Sequence, residues 1–361
     1  MWLILEGSIR VLPNNQDIGV VLEAGEIVGE MSLLDGSPRS ATLITDSQTL
    51  LLSYTLEDYE NTFRDSPEAG LAFLRNLIRR QQNRLRETTQ RAAAEAAAKA
   101  RVEGEIQQAK QTQQLALPRA LPKFGNCEFA VSYSAAREVS GDYYDFIELD
   151  PDRLIVLFGD STGHGLNAGL LMLIAKSAAL TQARIDPSVV AITSAINDII
   201  CEVFEATLFM TFVCALIDRK NRTIEYTNAG QQSHPYLLHV RTDEFVPLSS
   251  QTFQLGVQKG AQYISETITY EPRDLLVCYS DGIIEAPYCP PGATEVDRST
   301  EFGDVRLQQF LLDHKDDTPQ QIIDALLKEA RNFCVFFDTH MVIGGKEYDG
   351  DDVTNLVIRL D

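Results

Sequence analysis

The apolar residues of the chain change rhythm twice. Up to about residue 62 they come in short runs, "WLILEGSIRVL" and "ATLITDSQTLLLSY", bounded by turn-forming residues. Such runs predict β-strands. From about residue 66 to 117 the punctuation stops. Between Gly70 and Pro118 there is no proline and one glycine, Gly104, and "RAAAEAAAKA" consists of strong helix formers. One long helix is predicted, closed by Pro118 and Pro122. From residue 119 onward strand-like and helix-like segments alternate to the end. The expected fold class is α+β, in three parts: residues 1–62, 63–118 and 119–361.

Within the predicted helix a three-four spacing runs from residue 71 to residue 113. Leu71, Leu74, Ile78, Leu85, Ala92, Val102, Ile106 and Ala109 fall on it; Gln81, Thr88, Glu95, Lys99 and Gln113 interrupt it. A seam this uneven suits a breakable coiled coil and predicts a homodimer. Residues 71–110 carry nine basic against four acidic side chains, in a chain of net charge −21. The overall acidity argues against nucleic acid as a partner. The six cysteines form no CxxC pair and read as reduced core thiols of a cytoplasmic protein. No secretory leader and no apolar run of membrane-spanning length is present, so no membrane partner is expected.

Two stretches carry candidate chemistry. The first, "GEIVGEMSLLDGSPRSAT" at residues 25–42, places a glycine-bounded turn before one helical turn, then an Asp-Gly turn and an arginine. Amides at a short helix start beside one arginine make an anion cradle. The second is a set of aspartates beside small residues at strand ends: Asp142 in "SGDYYDF", Asp160 in "FGDSTGHG", Asp281 in "CYSDGIIEA", and Asp351 and Asp352 in "GDDVTNLVIRL". One such aspartate is ordinary turn chemistry. Carboxylates gathered at one end of a sheet stay ionised only with a cation between them, and hard oxygen ligands select Mg²⁺ or Mn²⁺. An aspartic protease would want a second Asp-Thr/Ser-Gly loop. A serine hydrolase would want Ser161 or Ser280 on a G-x-S-x-G turn. Neither is found.

Residues 25–42 resemble the phosphate-binding cassette of cyclic-nucleotide-binding domains, with Gly29, Glu30, Arg39, Ser40 and Ala41 in place. The resemblance implies that Glu30 meets a ribose 2′-hydroxyl and Arg39 the cyclic phosphate, with Ser40 in the same site. Members of that family carry further strands ahead of the segment that here follows Met1. A partial β-roll is therefore expected, a structural remnant first and a cyclic-nucleotide site second.

From about Val102 to Leu360 the chain resembles the metal-dependent protein phosphatases of the SpoIIE type, which include sigma-factor regulators. The likeness rests on "EIQQAKQTQQLALPRALP", "SYSAAREVSGDYYDF", "GDSTGHGLNAGLLM", "ATLFMTFVCALID", "YTNAGQQSHPYLL", "CYSDGIIEA", "EFGDVRLQQFL" and "DDVTNLVIRL" in that order. It implies an α/β/β/α sandwich, with "AGLLMLIAKSAAL" and "TPQQIIDALLKEARNF" among its covering helices. It also implies two Mn²⁺ or Mg²⁺ ions. Asp142, Asp160 and the Ser161 carbonyl would hold one, Asp160 would bridge, and Asp281 and Asp351 would complete the other. A water between the ions would attack the phosphorus of a phosphoserine or phosphothreonine directly. The implied substrate is a phosphorylated anti-sigma factor antagonist or a similar partner-switching protein. Asn228 and Asp145 are expected to support the site; His164 is expected to shape its loop, with proton transfer to the leaving group as the alternative, and Arg137 is the single candidate for the phosphate. Residues 287–303 and 336–350 are longer than that family has there and are expected as insertions at the site mouth. A non-hydrolysing phosphoprotein scaffold and a cyclic-nucleotide sensor are the alternative readings.

Overall fold

A computed structural model describes residues 1–13, 19–30, 32, 36–135, 139–162, 165–205, 207–249, 252–343 and 345–361. Met31, Leu33 to Asp35 of the cassette, and Arg137 and His164, lie outside the described residues. The chain divides into two compact units, Met1–Lys99 and Ala100–Asp361.

The first unit contains six short strands, β1 (Trp2–Glu6), β2 (Ser8–Pro13), β3 (Val20–Glu23), β4 (Ile27–Val28), β5 (Ala41–Thr45) and β6 (Leu50–Ser53). They form two three-stranded antiparallel sheets, β4-β1-β6 and β3-β2-β5. Alternating side chains meet in a small core of Ile4, Ile9, Leu22 and Val28. Helix α1 (Leu56–Asp65) begins inside the stretch expected to be β-rich. Its cause is a capping box: the Thr55 hydroxyl accepts from the Asp58 amide, and the Asp58 carboxylate accepts from the Thr55 amide. After Ser66 comes the predicted long helix, α2 (Pro67–Ala116), 50 residues with proline in its first turn.

The second unit is a sandwich of two five-stranded antiparallel sheets. One is ordered β14 (Glu266–Thr269), β11 (Thr223–Ala229), β10 (Met210–Asp218), β9 (Arg153–Ser161) and β8 (Tyr143–Asp150). The other is ordered β13 (Glu244–Pro247), β12 (Tyr236–His239), β15 (Leu275–Tyr279), β20 (Val353–Arg359) and β7 (Glu128–Ser134). The period of two along each strand builds three layers of core. Leu154, Val156 and Phe158 of β9 meet Leu276, Cys278, Leu356 and Ile358 between the sheets. Ile155 and Leu157 turn outward onto α3 (Leu166–Gln182) and α4 (Val189–Phe204). Leu275, Val277 and Tyr279 turn the other way, onto α5 (Asp281–Ile284), α6 (Gly303–His314) and α7 (Pro319–Phe333). The α/β/β/α sandwich and both named covering helices are as expected. The two segments expected as insertions contain two hairpins, β16 (Pro287–Tyr288) with β17 (Asp297–Glu301), and β18 (His340–Ile343) with β19 (Lys346–Asp349). The described cysteines are all free thiols. No helix among the described residues is long and apolar enough to cross a membrane.

Candidate active site

Antiparallel pairing brings the aspartates together. Tyr143 of β8 faces Gly159 of β9, so Asp142, just before β8, and Asp160, near the end of β9, share one end of their sheet. Tyr279 of β15 faces Asn355 of β20, which puts Asp281 and the Asp351–Asp352 pair at one end of the opposite sheet. The two ends are tied across the sandwich: the Gly141 amide donates to the Asp352 carboxylate at 2.7 Å. Asp352 also donates its own amide to Asp351 Oδ1 at 2.8 Å.

Each acid is held through its neighbours. The Ser280 hydroxyl donates to the Asp352 carbonyl at 3.1 Å and accepts from the Thr354 amide at 2.9 Å, locking the end of β15 to the start of β20. Gly282 lets these two segments touch, since a Cβ there would sit 2.3 Å from the Asp352 carbonyl oxygen. The Ser161 amide and hydroxyl both donate to the Gly141 carbonyl, at 3.3 and 3.1 Å. Ser140 Oγ accepts the Asp142 amide at 3.1 Å. Ser140 is itself gripped by Gln113, from the last turn of α2: the Gln113 side chain donates to the Ser140 carbonyl at 2.6 Å and accepts its amide at 3.2 Å. Gly165, at φ +81°, opens α3 as the small-residue run predicts.

The electrostatics follow from this convergence. Burial pushes the Asp160 carboxyl up to about 10, and Asp142, Asp281, Asp351 and Asp352 push it the same way. Burial raises Asp142 to about 8; the nearby Thr354 hydroxyl, though not in hydrogen-bond geometry with it, opposes the rise, and Asp352 and Asp281 add to it. Burial, then Asp351 and Glu285, raise Asp281 to about 6. Asp142 is 1% exposed, and neither of its carboxylate oxygens has a hydrogen-bond partner among the described residues. The Thr354 hydroxyl lacks one too. Two orphaned buried carboxylate oxygens are costly, and a cation satisfies them. Among the described residues the donors gathered here are oxygens, which suits Mg²⁺ or Mn²⁺. As the side chains stand, no three His, Cys, Asp or Glu groups among the described residues are gathered tightly enough to enclose an ion. The chemistry of the donors fits a hard cation, while their present spacing does not enclose one.

Asp145 is committed elsewhere. It pairs with Lys176 of α3, accepts from the Tyr143 hydroxyl at 3.2 Å and accepts from the Phe146 amide at 2.9 Å. Asn228 accepts from the Gln231 amide and donates to the Leu248 carbonyl, both at 2.8 Å, a turn support as expected. Gln231 in turn accepts from the Thr211 hydroxyl, which also donates to the Asp160 carbonyl. Sequence reasoning did not single out Gln113, Lys176 or the Asp352 cross-link. Gln113 left one signal: a polar residue on the seam, in the last turn of the helix.

In the first unit, Gly29, Glu30, Arg39 and Ser40 line one cavity of about 130 Å³. Glu30 is buried. Arg39 donates to the Gly29 carbonyl at 2.8 Å, and its guanidinium lies 4.9 Å from the Trp2 ring centroid. The cavity is smaller than the ~300–1,000 Å³ typical of small-molecule sites.

Two segments of the chain match known protein families. Residues 1–66 match the cyclic nucleotide-binding domain model, and residues 150–361 match the model of stage II sporulation protein E (SpoIIE). Asp142 precedes the matched segment. The phosphoserine phosphatase RsbU of Bacillus subtilis is 25% identical over 251 residues, covering 67% of this chain and 70% of RsbU. The SiaA-PP2C domain of Pseudomonas aeruginosa superposes with a TM-score of 0.60 at 19% identity, over 74% of this chain and all of that domain. The PP2C phosphatase domain and regulatory fragment of SpoIIE from Bacillus subtilis gives 0.52 at 20% identity, over 66% and 64% of the two chains. With a family model matched over more than half its length, the chain belongs to the SpoIIE family, whose domain is a PP2C-type protein phosphatase.

Proposed function

We propose that this chain removes phosphate from phosphoserine or phosphothreonine on a partner-switching protein of the anti-sigma factor antagonist kind, in the cytoplasm. The observation that carries the reading is the convergence of five aspartates, among them Asp142, whose buried oxygens lack partners. The similarity to RsbU, a phosphoserine phosphatase, supports the substrate class. Asp142, Asp160, Asp281 and Asp351, with the Ser161 carbonyl, are the groups that would hold two Mn²⁺ or Mg²⁺ ions. When bound, such ions activate water and neutralise phosphoryl charge. The protein's own part is to hold the acids in place and dry, at the cost of favouring their protonated form until a cation binds. Burial of Asp142 excludes bulk water from its carboxylate. The Ser280–Thr354 and Gly141–Asp352 hydrogen bonds fix the two sheet ends at one spacing.

The same reading gives α2 a regulatory role. Gln113 ties the helix to the loop that delivers Asp142, so displacement of its last turn reaches that carboxylate directly. The exposed Leu71, Ile78 and Leu85, seven residues apart, supply a seam for a homodimer. Arg39 and Glu30 would take a cyclic nucleotide only after Arg39 gives up its own backbone partner and the cavity widens.

Hydrolysis of p-nitrophenyl phosphate tests the enzyme reading. Turnover is expected with Mn²⁺, is abolished by EDTA, and falls at least ~100-fold in Asp281→Asn. Activity that survives Asp281→Asn would sink the reading.

A further inference from the structure

We infer that Arg298 is the specificity-determining residue that receives an anionic group of the phosphorylated substrate at the site mouth. The inference rests on the phosphatase reading above and deepens it. A cavity of about 360 Å³ opens directly beside Asp351. Its wall includes Glu285, Arg298, Glu301, Phe337 and Asp349. Both hairpins contribute to it, β17 with Arg298 and Glu301 and β19 with Asp349. The cavity thus opens where a polypeptide presenting a phosphoserine must lie to reach Asp351.

Arg298 is the only basic side chain on that wall among the described residues. It makes no ion pair or hydrogen bond among the described residues, although Glu285, Glu301 and Asp349 share the wall. Its guanidinium is instead drawn to the Tyr348 ring, 5.9 Å from the centroid. Tyr348 packs on Phe336, with ring centroids 5.3 Å apart. The next residue, Phe337, accepts the Asp351 amide at 3.0 Å. The cation and the candidate ligand are therefore referenced to one pair of phenylalanines. A guanidinium lying against a ring keeps its forked N–H donors available, and that fork matches phosphate or carboxylate oxygens. The need for it is electrostatic. A phosphoserine brings roughly −1.5 to −2 charges to a mouth whose other ionised groups are acidic. A phosphoryl oxygen and a carboxylate flanking the phosphoserine offer the same chemistry to this fork.

The test uses the full chain with Mn²⁺ and two phosphoserine heptapeptides, one with alanine flanks and one with glutamate flanks. Arg298→Ala is expected to raise KM about 10-fold or more, the loss of one charge-assisted hydrogen bond, with kcat within about threefold. Arg298→Lys should recover part of the loss, and the salt dependence of KM should weaken in Arg298→Ala. A loss on both peptides places the guanidinium on the phosphoryl group, and a loss confined to the glutamate-flanked peptide places it on the flank. Fluorescence anisotropy of the same labelled peptides reads the effect whether or not they are turned over. Failure of p-nitrophenyl phosphate hydrolysis counts against the phosphatase reading alone. KM and affinity within twofold of wild type on both peptides, or a fall in kcat at constant KM, would overturn the assignment.

Discussion

Asp142 joins a function to a penalty. Its carboxyl is raised to about 8 from an ordinary 3.8, chiefly by burial. Between those two values the folded chain holds a proton that the unfolded chain releases, so stability falls as pH rises through that window. Asp281, raised to about 6, and Asp160, raised to about 10, act with the same sign. In EDTA the melting temperature should therefore drop between pH 5 and pH 8. Asp142→Asn removes a buried charge while keeping the shape, so that drop should shrink. At pH 8 the variant should melt roughly 3 °C or more above wild type and be catalytically dead. Mn²⁺ should raise the wild-type melting temperature and leave the variant nearly unmoved. Calorimetry checks all of this, and a variant that melts below wild type at pH 8 contradicts the account.

Among the elements, the last turn of α2 reaches the loop before Asp142 through a single side chain. Gln113 occupies both backbone groups of Ser140, and Ser140 holds the Asp142 amide. Gln113→Leu fills similar space and strands two buried polar groups, at about 1–3 kcal/mol each. A fall of at least ~10-fold in kcat is expected, with a higher Mn²⁺ requirement, and a metal titration of the activity checks it. Unchanged activity would uncouple the helix from the site. The strands and the long helix were legible in the sequence because their signals are local. Period two in β9, turn residues at its ends and an alanine-rich run in α2 need no partner to be read. The aspartates were legible because strand ends and glycines mark them. Gln113 and Arg298 were not, because their meaning lies in contacts across many residues. On sequence alone Gln113 was an interruption in a seam, and Arg298 one charge in an insertion. Helix α1 was hidden for a different reason: its capping box follows the apolar run of β6 almost at once.

At the scale of the whole molecule, an exposed apolar stripe on α2 is unusual in a chain of net charge −21. Leu71, Ile78 and Leu85 are each at least half exposed in the single chain. Exposed side chains of that size at seven-residue intervals are what a second helix covers. Sedimentation of the wild-type chain is expected to give a dimer, and the double variant Ile78→Asp, Leu85→Asp a folded monomer. A wild-type monomer at micromolar concentration would remove the seam from the account. The two hairpins at the mouth carry a consequence of another kind. Each is anchored at its base by side chains packed in the core, Cys289 and Phe302 for one, Phe336 and Phe337 for the other. Beyond those anchors the strand β17 is exposed along its whole length. The outer strand of the first hairpin can therefore be rewritten without disturbing the sheets beneath, whereas the second keeps Ile343 buried in the same core. On the phosphatase reading proposed above, residues 287–303 and 336–350 would be the address label, and a relative carrying them in place of its own loops should inherit the choice of protein along with them.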